Sequence, residues 1–174
     1  CFVHTWYLAA DLQLYLASPI LLLVFARGGQ RLGLLLVATL FALSTSFNIW
    51  QIISFHFPPS DYSFGPQSPQ LDKSKNYDFW NYYDPLIRCQ IYLMGFLQGY
   101  FMQKYPRVYI NSKLNVILWI VSCGSMVGIV MSIKTWTSGN VWSVAETAVY
   151  SSCSRVVWGL GLGFIIASTH YKPS

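Results

Sequence analysis

The chain of 174 residues is 54% hydrophobic, 17% aromatic and only 10% charged, against roughly 25% charged in an average soluble domain. That composition excludes an ordinary water-soluble globule. Its net charge of +5, from 11 Lys and Arg against 6 Asp and Glu, would in a soluble protein point to nucleic acid, but here the charges punctuate apolar runs and no nucleic-acid partner is expected.

Five segments have the length needed to cross a hydrocarbon core of about 30 Å at about 1.5 Å per residue. They cover about residues 6–25, 32–53, 86–102, 114–133 and 148–169. The first contains Pro19, which a membrane helix tolerates as a kink. Between the first two lies the basic turn Arg27-Gly28-Gly29-Gln30-Arg31, short enough to make them antiparallel neighbours. Residues 56–84 are rich in Pro, Ser, Asp and Tyr without apolar periodicity, and read as one long polar loop. The predicted fold is all-α, a polytopic membrane protein of about five transmembrane helices.

Basic residues in short loops stay on the cytoplasmic side. Arg27 and Arg31, then Lys104, Arg107 and Lys113, then Lys172 fall on alternate connections with no acidic residue, whereas the others hold Lys73, Lys75 and Lys134 against Asp61, Asp72, Asp78, Asp84 and Glu146. The N-terminal end is therefore expected outside or in a lumen, the 56–84 loop on that side, and the C-terminal end in the cytoplasm. The membrane is expected to be the endoplasmic reticulum or the plasma membrane. An odd number of spans and a start at Cys1 read as a piece of a longer membrane protein. Cys89, Cys123 and Cys153 fall inside spans, where such residues usually pack; only Cys1 is placed to pair.

A charge at mid-bilayer costs about 2.5–3.5 kcal/mol or more, so ionisable residues inside spans are functional candidates. Three stand out here: Asp11, Arg88 and Arg155. Asp11 and Arg88 are expected about 7 Å and 6 Å below the outer surface, and Arg155 about 10 Å. Gln13, Asn48, Gln51, Gln90 and Ser151 lie on the same outer half, while the inner halves are almost wholly apolar. The pattern predicts a polar cavity open to the outer side, lined by Asp11, Gln13, Arg88 and Arg155. The competing reading is a structural ion pair between Asp11 and Arg88 that locks two spans together. His4, Asp11 and Tyr15 share nearly one helical face, and a partly desolvated carboxylate there could orient a hydroxyl acceptor or hold its proton.

Other features read as structural. Gly95-x-x-x-Gly99, Gly124-x-x-x-Gly128 and Gly159-x-x-x-Gly163 are helix-packing spacings. Trp6, Tyr7, Trp80, Tyr82, Tyr83, Trp136 and Trp142 read as an interfacial belt. His4, His56 and His170 have no partners at ligand spacing, and no metal site is expected. No phosphate loop or nucleophile elbow is present.

The stretch HTWYLAADLQLYLASPILLL closely resembles a signature of membrane acyltransferase family 3, through His4, Trp6, Leu8, Asp11, Gln13, Tyr15 and Pro19. Its Trp-Tyr-Leu and Asp form resembles the animal branch called nose resistant to fluoxetine proteins. YDPLIRCQIYLMGFLQGY is similar to a second element of that branch through Arg88, Tyr92, Gly95 and Gly99. SRVVWGLGLGFII matches a third through Arg155 and Trp158.

The resemblance implies that residues 1–174 are roughly the second half of a ten-helix acyltransferase domain, completed by sequence upstream of Cys1. It implies O-acyl transfer from an acyl-CoA-type co-substrate, with no bound cofactor, to a hydroxyl-bearing acceptor in contact with membrane lipid. The family's usual catalytic His belongs to an early span, and His4 does not correspond to it. Asp11 and Arg88 are the catalytic candidates carried over, with His4, Gln13, Tyr15 and Arg155 as cavity residues. A lipid or small-molecule carrier that retains the cavity without the chemistry is the alternative, and a non-catalytic membrane subunit a third.

Overall fold

A computed structural model describes residues 5–60, 65–72, 74, 77, 80–81, 84–109 and 111–171, with side chains from Leu8 onward. Among the described residues five helices follow in chain order: α1 Thr5–Phe55, α2 Pro85–Lys104, α3 Ser112–Ser132, α4 Lys134–Thr137 and α5 Val144–His170. Among the described residues there is no strand.

α1 runs on through the predicted basic turn, yet it is not straight. Gly29 adopts φ 77° and ψ 170°, a region open essentially to glycine alone. The chain folds back there. A Cβ on Gly33 would lie 2.6 Å from the Phe25 ring, although eight residues along a straight helix span about 12 Å. Leu21, Phe25 and Val37 consequently share one buried cluster with Leu93 of α2. The first two predicted segments are thus the arms of one helical hairpin.

Among the described residues three helices are long and apolar enough to cross a membrane: Leu8–Phe55, Ser112–Thr137 and Val144–His170. The difference from the five expected has two causes. The first two segments count as a single 48-residue stretch, about 72 Å of helix if it were straight. α2 is too polar to qualify, because it carries Arg88, Gln90, Gln98 and Gln103. It is polar for a reason: α2 packs on both α1 and α5, where Gln90 and Gln98 find protein partners, while Gln103 stays exposed. Gln90 is wholly buried and donates to Thr45 Oγ1 at 2.7 Å. Gln98 donates to the Gly163 carbonyl at 2.7 Å.

α3 packs chiefly on α5, where the Trp119 indole N–H donates to Ser168 Oγ at 2.6 Å. α5 begins four residues before the predicted segment. Ser143 and Glu146 close a capping box there, the Ser143 hydroxyl accepting from the Glu146 amide and the Glu146 carboxylate accepting from the Ser143 amide.

One end of the bundle collects the basic connections. Lys104 Nζ donates to Gln30 Oε1 beside the Gly29 bend, and the Tyr171 hydroxyl donates to the Tyr105 carbonyl at 2.7 Å. The opposite end is closed by the 56–84 connection. That connection is not a freely solvated loop: Phe57, Tyr77 and Asn81 are buried, and Phe57 packs on Phe55 and Tyr77 at centroid distances of 5.3 and 5.6 Å. Trp136, expected in an interfacial belt, is instead 2% exposed. Its indole lies against Gly65 and donates to the Pro66 carbonyl at 3.1 Å.

The three glycine spacings behave differently. A Cβ at Gly159 or Gly163 would meet Met94 or Gln98 of α2, whereas Gly95, Gly99, Gly124 and Gly128 have nothing within 4 Å. Close packing is therefore realised only by the α5 pair. Cys89, Cys123 and Cys153 are free thiols, but Cys123 and Cys153 are exposed on the helix surfaces rather than packed. Cys1 lies outside the described residues.

Candidate functional site

Helical repeat brings the polar candidates onto facing surfaces. Asp11, Leu14 and Tyr15 occupy one face of the first arm of α1, since residues three and four apart align. Arg88, Ile91 and Tyr92 repeat the same spacing on α2. With Arg155 of α5 these residues line one cavity of about 510 Å³. Its walls thus come from three elements widely separated in sequence, and its lining carries one carboxylate, two guanidinium groups and two phenols.

Four of the six predicted site residues meet here: Asp11, Tyr15, Arg88 and Arg155. Gln13 does not. Its side chain is exposed, because two residues beyond Asp11 the helix has turned about 200°. His4 lies outside the described residues. Asp11 is only partly exposed, as expected of a carboxylate on a bundle-facing surface.

Behind the cavity a hydrogen-bonded chain runs through the bundle. Arg155 Nη2 donates to Asn81 Oδ1 at 3.2 Å. Asn81 Nδ2 donates to Asn48 Oδ1 at 3.3 Å, and Asn48 Nδ2 donates to Ser151 Oγ at 3.2 Å. Asn48, Asn81 and Ser151 are 0%, 2% and 6% exposed. Buried amides are costly without partners, at about 1–3 kcal/mol each, and these satisfy one another.

Sequence reading anticipated Asn48 and Ser151 as outer-half polar groups but passed over Asn81. The 56–84 segment looked uniformly like loop, and nothing in the order Phe-Trp-Asn-Tyr-Tyr marks the amide as buried. Its one local signal is the apolar and aromatic company it keeps. Tyr92 was visible only as part of a motif.

Helices of this length and apolarity, with charged side chains lining one cavity between them, are those of a membrane protein. The sequence profile of the family described as "Acyltransferase domain" matches residues 1–173. The chain belongs to that family, membrane acyltransferase family 3. It is 26% identical over 180 residues to "Nose resistant to fluoxetine protein 6" of Caenorhabditis elegans, a match that covers 95% of this chain and supports the nose resistant to fluoxetine branch. The chain spans 21% of that relative's length. No solved structure matches it.

Proposed function

We propose that the cavity lined by Asp11, Tyr15, Arg88, Tyr92 and Arg155 is the acceptor side of an O-acyl transfer site. The observation that carries this reading is the convergence of those residues from three helices in a chain of an acyltransferase family. The hydroxyl oxygen of the acceptor forms a new C–O bond with the acyl carbonyl carbon, and the thioester C–S bond of an acyl-CoA donor breaks. The hydroxyl proton passes to a base, and coenzyme A leaves as thiolate. Asp11 orients the hydroxyl, while the fixed guanidinium groups stabilise the developing oxyanion, a role worth far more in a low-dielectric site than in water. The family resemblance implies a His of an early span of the domain as that base.

The same proposal sets the topology. The arms of α1, with α2, α3 and α5, make five spans, the basic end facing the cytoplasm and the 56–84 end facing outside or a lumen. Clustering of Gln30, Lys104, Tyr105 and Tyr171 at one end supports it, as does the retention of Lys and Arg on the cytoplasmic side.

The full-length protein in membranes, given acetyl-CoA or oleoyl-CoA labelled in the acyl group, is expected to transfer label to lipid or another hydroxyl acceptor. Asp11→Asn and Arg88→Ala are each expected to lower the rate about 100-fold or more without loss from the membrane fraction. Undiminished transfer by both variants removes the cavity from the chemistry. A wild-type protein that inserts normally and transfers nothing moves the reading to a carrier.

A further inference from the structure

The cavity and the 56–84 connection are joined through one side chain. Arg155 lines the cavity, and its two terminal nitrogens have different environments. Nη2 donates to Asn81 Oδ1 at 3.2 Å. Nη1 is buried and has no hydrogen-bond partner among the described residues.

Guanidinium groups only donate, so the Arg155 contact requires the Asn81 oxygen and turns the Asn81 amide nitrogen the other way. That nitrogen meets Asn48 Oδ1 at 3.3 Å. Asn48 is in turn held by Ser151, one helical turn before Arg155 on the same helix. The orientation of each amide is thereby dictated by the next, and the chain of bonds closes back on α5. Arg155 has a long flexible stem that would otherwise sample many rotamers.

We propose that Asn81 is a positioning residue for Arg155: by fixing Nη2 it holds the guanidinium beside the cavity that Arg155 lines. This rests on the acyl-transfer reading for what the guanidinium serves there, the acyl carbonyl oxygen as it becomes an oxyanion. The Asn81–Arg155 contact itself does not depend on that reading. The 56–84 connection is then part of the site's construction rather than a tether between helices. A side chain that acts only through another should affect turnover more than substrate binding, because the oxygen it serves gains its charge in the transition state.

The test uses the full-length protein purified in detergent, with wild type, Asn81→Leu, Asn81→Asp, Arg155→Ala and the Asn81→Leu/Arg155→Ala double variant. Labelled acetyl-CoA and oleoyl-CoA serve as donors, and thermal unfolding of the same samples is read by intrinsic fluorescence. Asn81→Leu is expected to lower kcat about 10- to 100-fold with KM for the donor nearly unchanged, as misplacement of an aligned group does. Asn81→Asp keeps an oxygen toward Arg155 and is expected to restore most of that loss. In the Arg155→Ala background Asn81→Leu should cost little further in rate, and should lower the unfolding temperature less than it does with Arg155 present, the Asn48 contact being lost in both.

Additive losses in the unfolding cycle overturn the proposal, as does an Asn81→Asp variant as slow as Asn81→Leu. A wild-type protein without transfer overturns the acyl-transfer reading instead, and the unfolding cycle then decides the contact by itself: coupling upholds it and additivity ends it.

Discussion

Trp136 shows how a residue's role is set by what reaches it. An indole near a predicted membrane surface reads as an anchor, because an amphipathic ring suits that boundary. Here its ring is 2% exposed and its N–H is satisfied by the Pro66 carbonyl, so it clamps the 56–84 connection onto the helix ends. Trp136→Ala is expected to cost about 3–5 kcal/mol of stability, the range for removing a large buried aromatic. Trp142→Ala, whose ring is only partly buried, should cost clearly less. Thermal or denaturant unfolding of the full-length protein in detergent measures both, and equal losses would contradict the clamp. Gly65 belongs to the same contact, since a Cβ there would approach the indole to 2.8 Å. Replacing it with Val should loosen Trp136 and raise its accessibility to a soluble fluorescence quencher.

At the scale of elements, the hairpin in α1 and the polar helix α2 carry the design. Gly29 lets the chain reverse without a loop, and the apolar inner ends of the two arms then bury Leu21, Phe25 and Val37 against Leu93. Gly29→Ala forces a side chain into a glycine-only conformation and is expected to destabilise the hairpin by about 1–3 kcal/mol. The adjacent Gly28→Ala is a different case. The Cβ would meet the far end of the Leu32 side chain at 2.5 Å, which can rotate away, so the loss should be smaller. Chemical denaturation of the two variants side by side gives the comparison, and a larger loss at Gly28 would contradict the assigned bend.

α2 follows the opposite logic: Gln90 and Gln98 would be a liability against lipid, but the hairpin and α5 flank them. Asp84 caps its start, the carboxylate accepting from the Leu86 amide at 2.8 Å ahead of Pro85. Pro at the first helical position and Asp before it are a recognisable helix start.

For the whole molecule, the connections sort to the two ends of the bundle. The Gly29 bend, the α2–α3 connection and the C-terminal end of α5 meet at one end, joined by the Lys104–Gln30 and Tyr171–Tyr105 contacts. The 56–84 connection and α4 lie at the other. Single cysteines introduced at Ser68 and Arg107, in a full-length variant without the native ones, should be labelled from opposite sides of a sealed membrane by an impermeant thiol reagent. Labelling from the same side would contradict the proposed five-span topology. Many large apolar residues of α1, α3 and α5 remain exposed, among them Leu12, Leu16, Ile120 and Leu160. Such surfaces suit lipid or the rest of a longer domain, and the chain matches about a fifth of its relative's length.

Sequence by itself determined the membrane class, the all-helical character, the antiparallel first pair and the family. Each follows from local quantities: the length of apolar runs, the Gly-Gly turn between arginines, and motif residues in order. The meeting of Asp11, Tyr15, Arg88 and Arg155 was partly legible, because intramembrane charge is rare and depth can be counted at a fixed rise per residue. Which side of a helix Gln13 takes, and that Asn81 is buried, were not. Facing depends on the rotation of each helix about its own axis, fixed by packing among α1, α2 and α5 rather than by any one of them. A connection without periodicity gives no sign of which side chains it folds inward. Tertiary structure alone decided that the 56–84 segment supplies a buried amide to Arg155, since that contact joins residues 74 positions apart and is favourable only once three helices have excluded the water that would otherwise satisfy both groups.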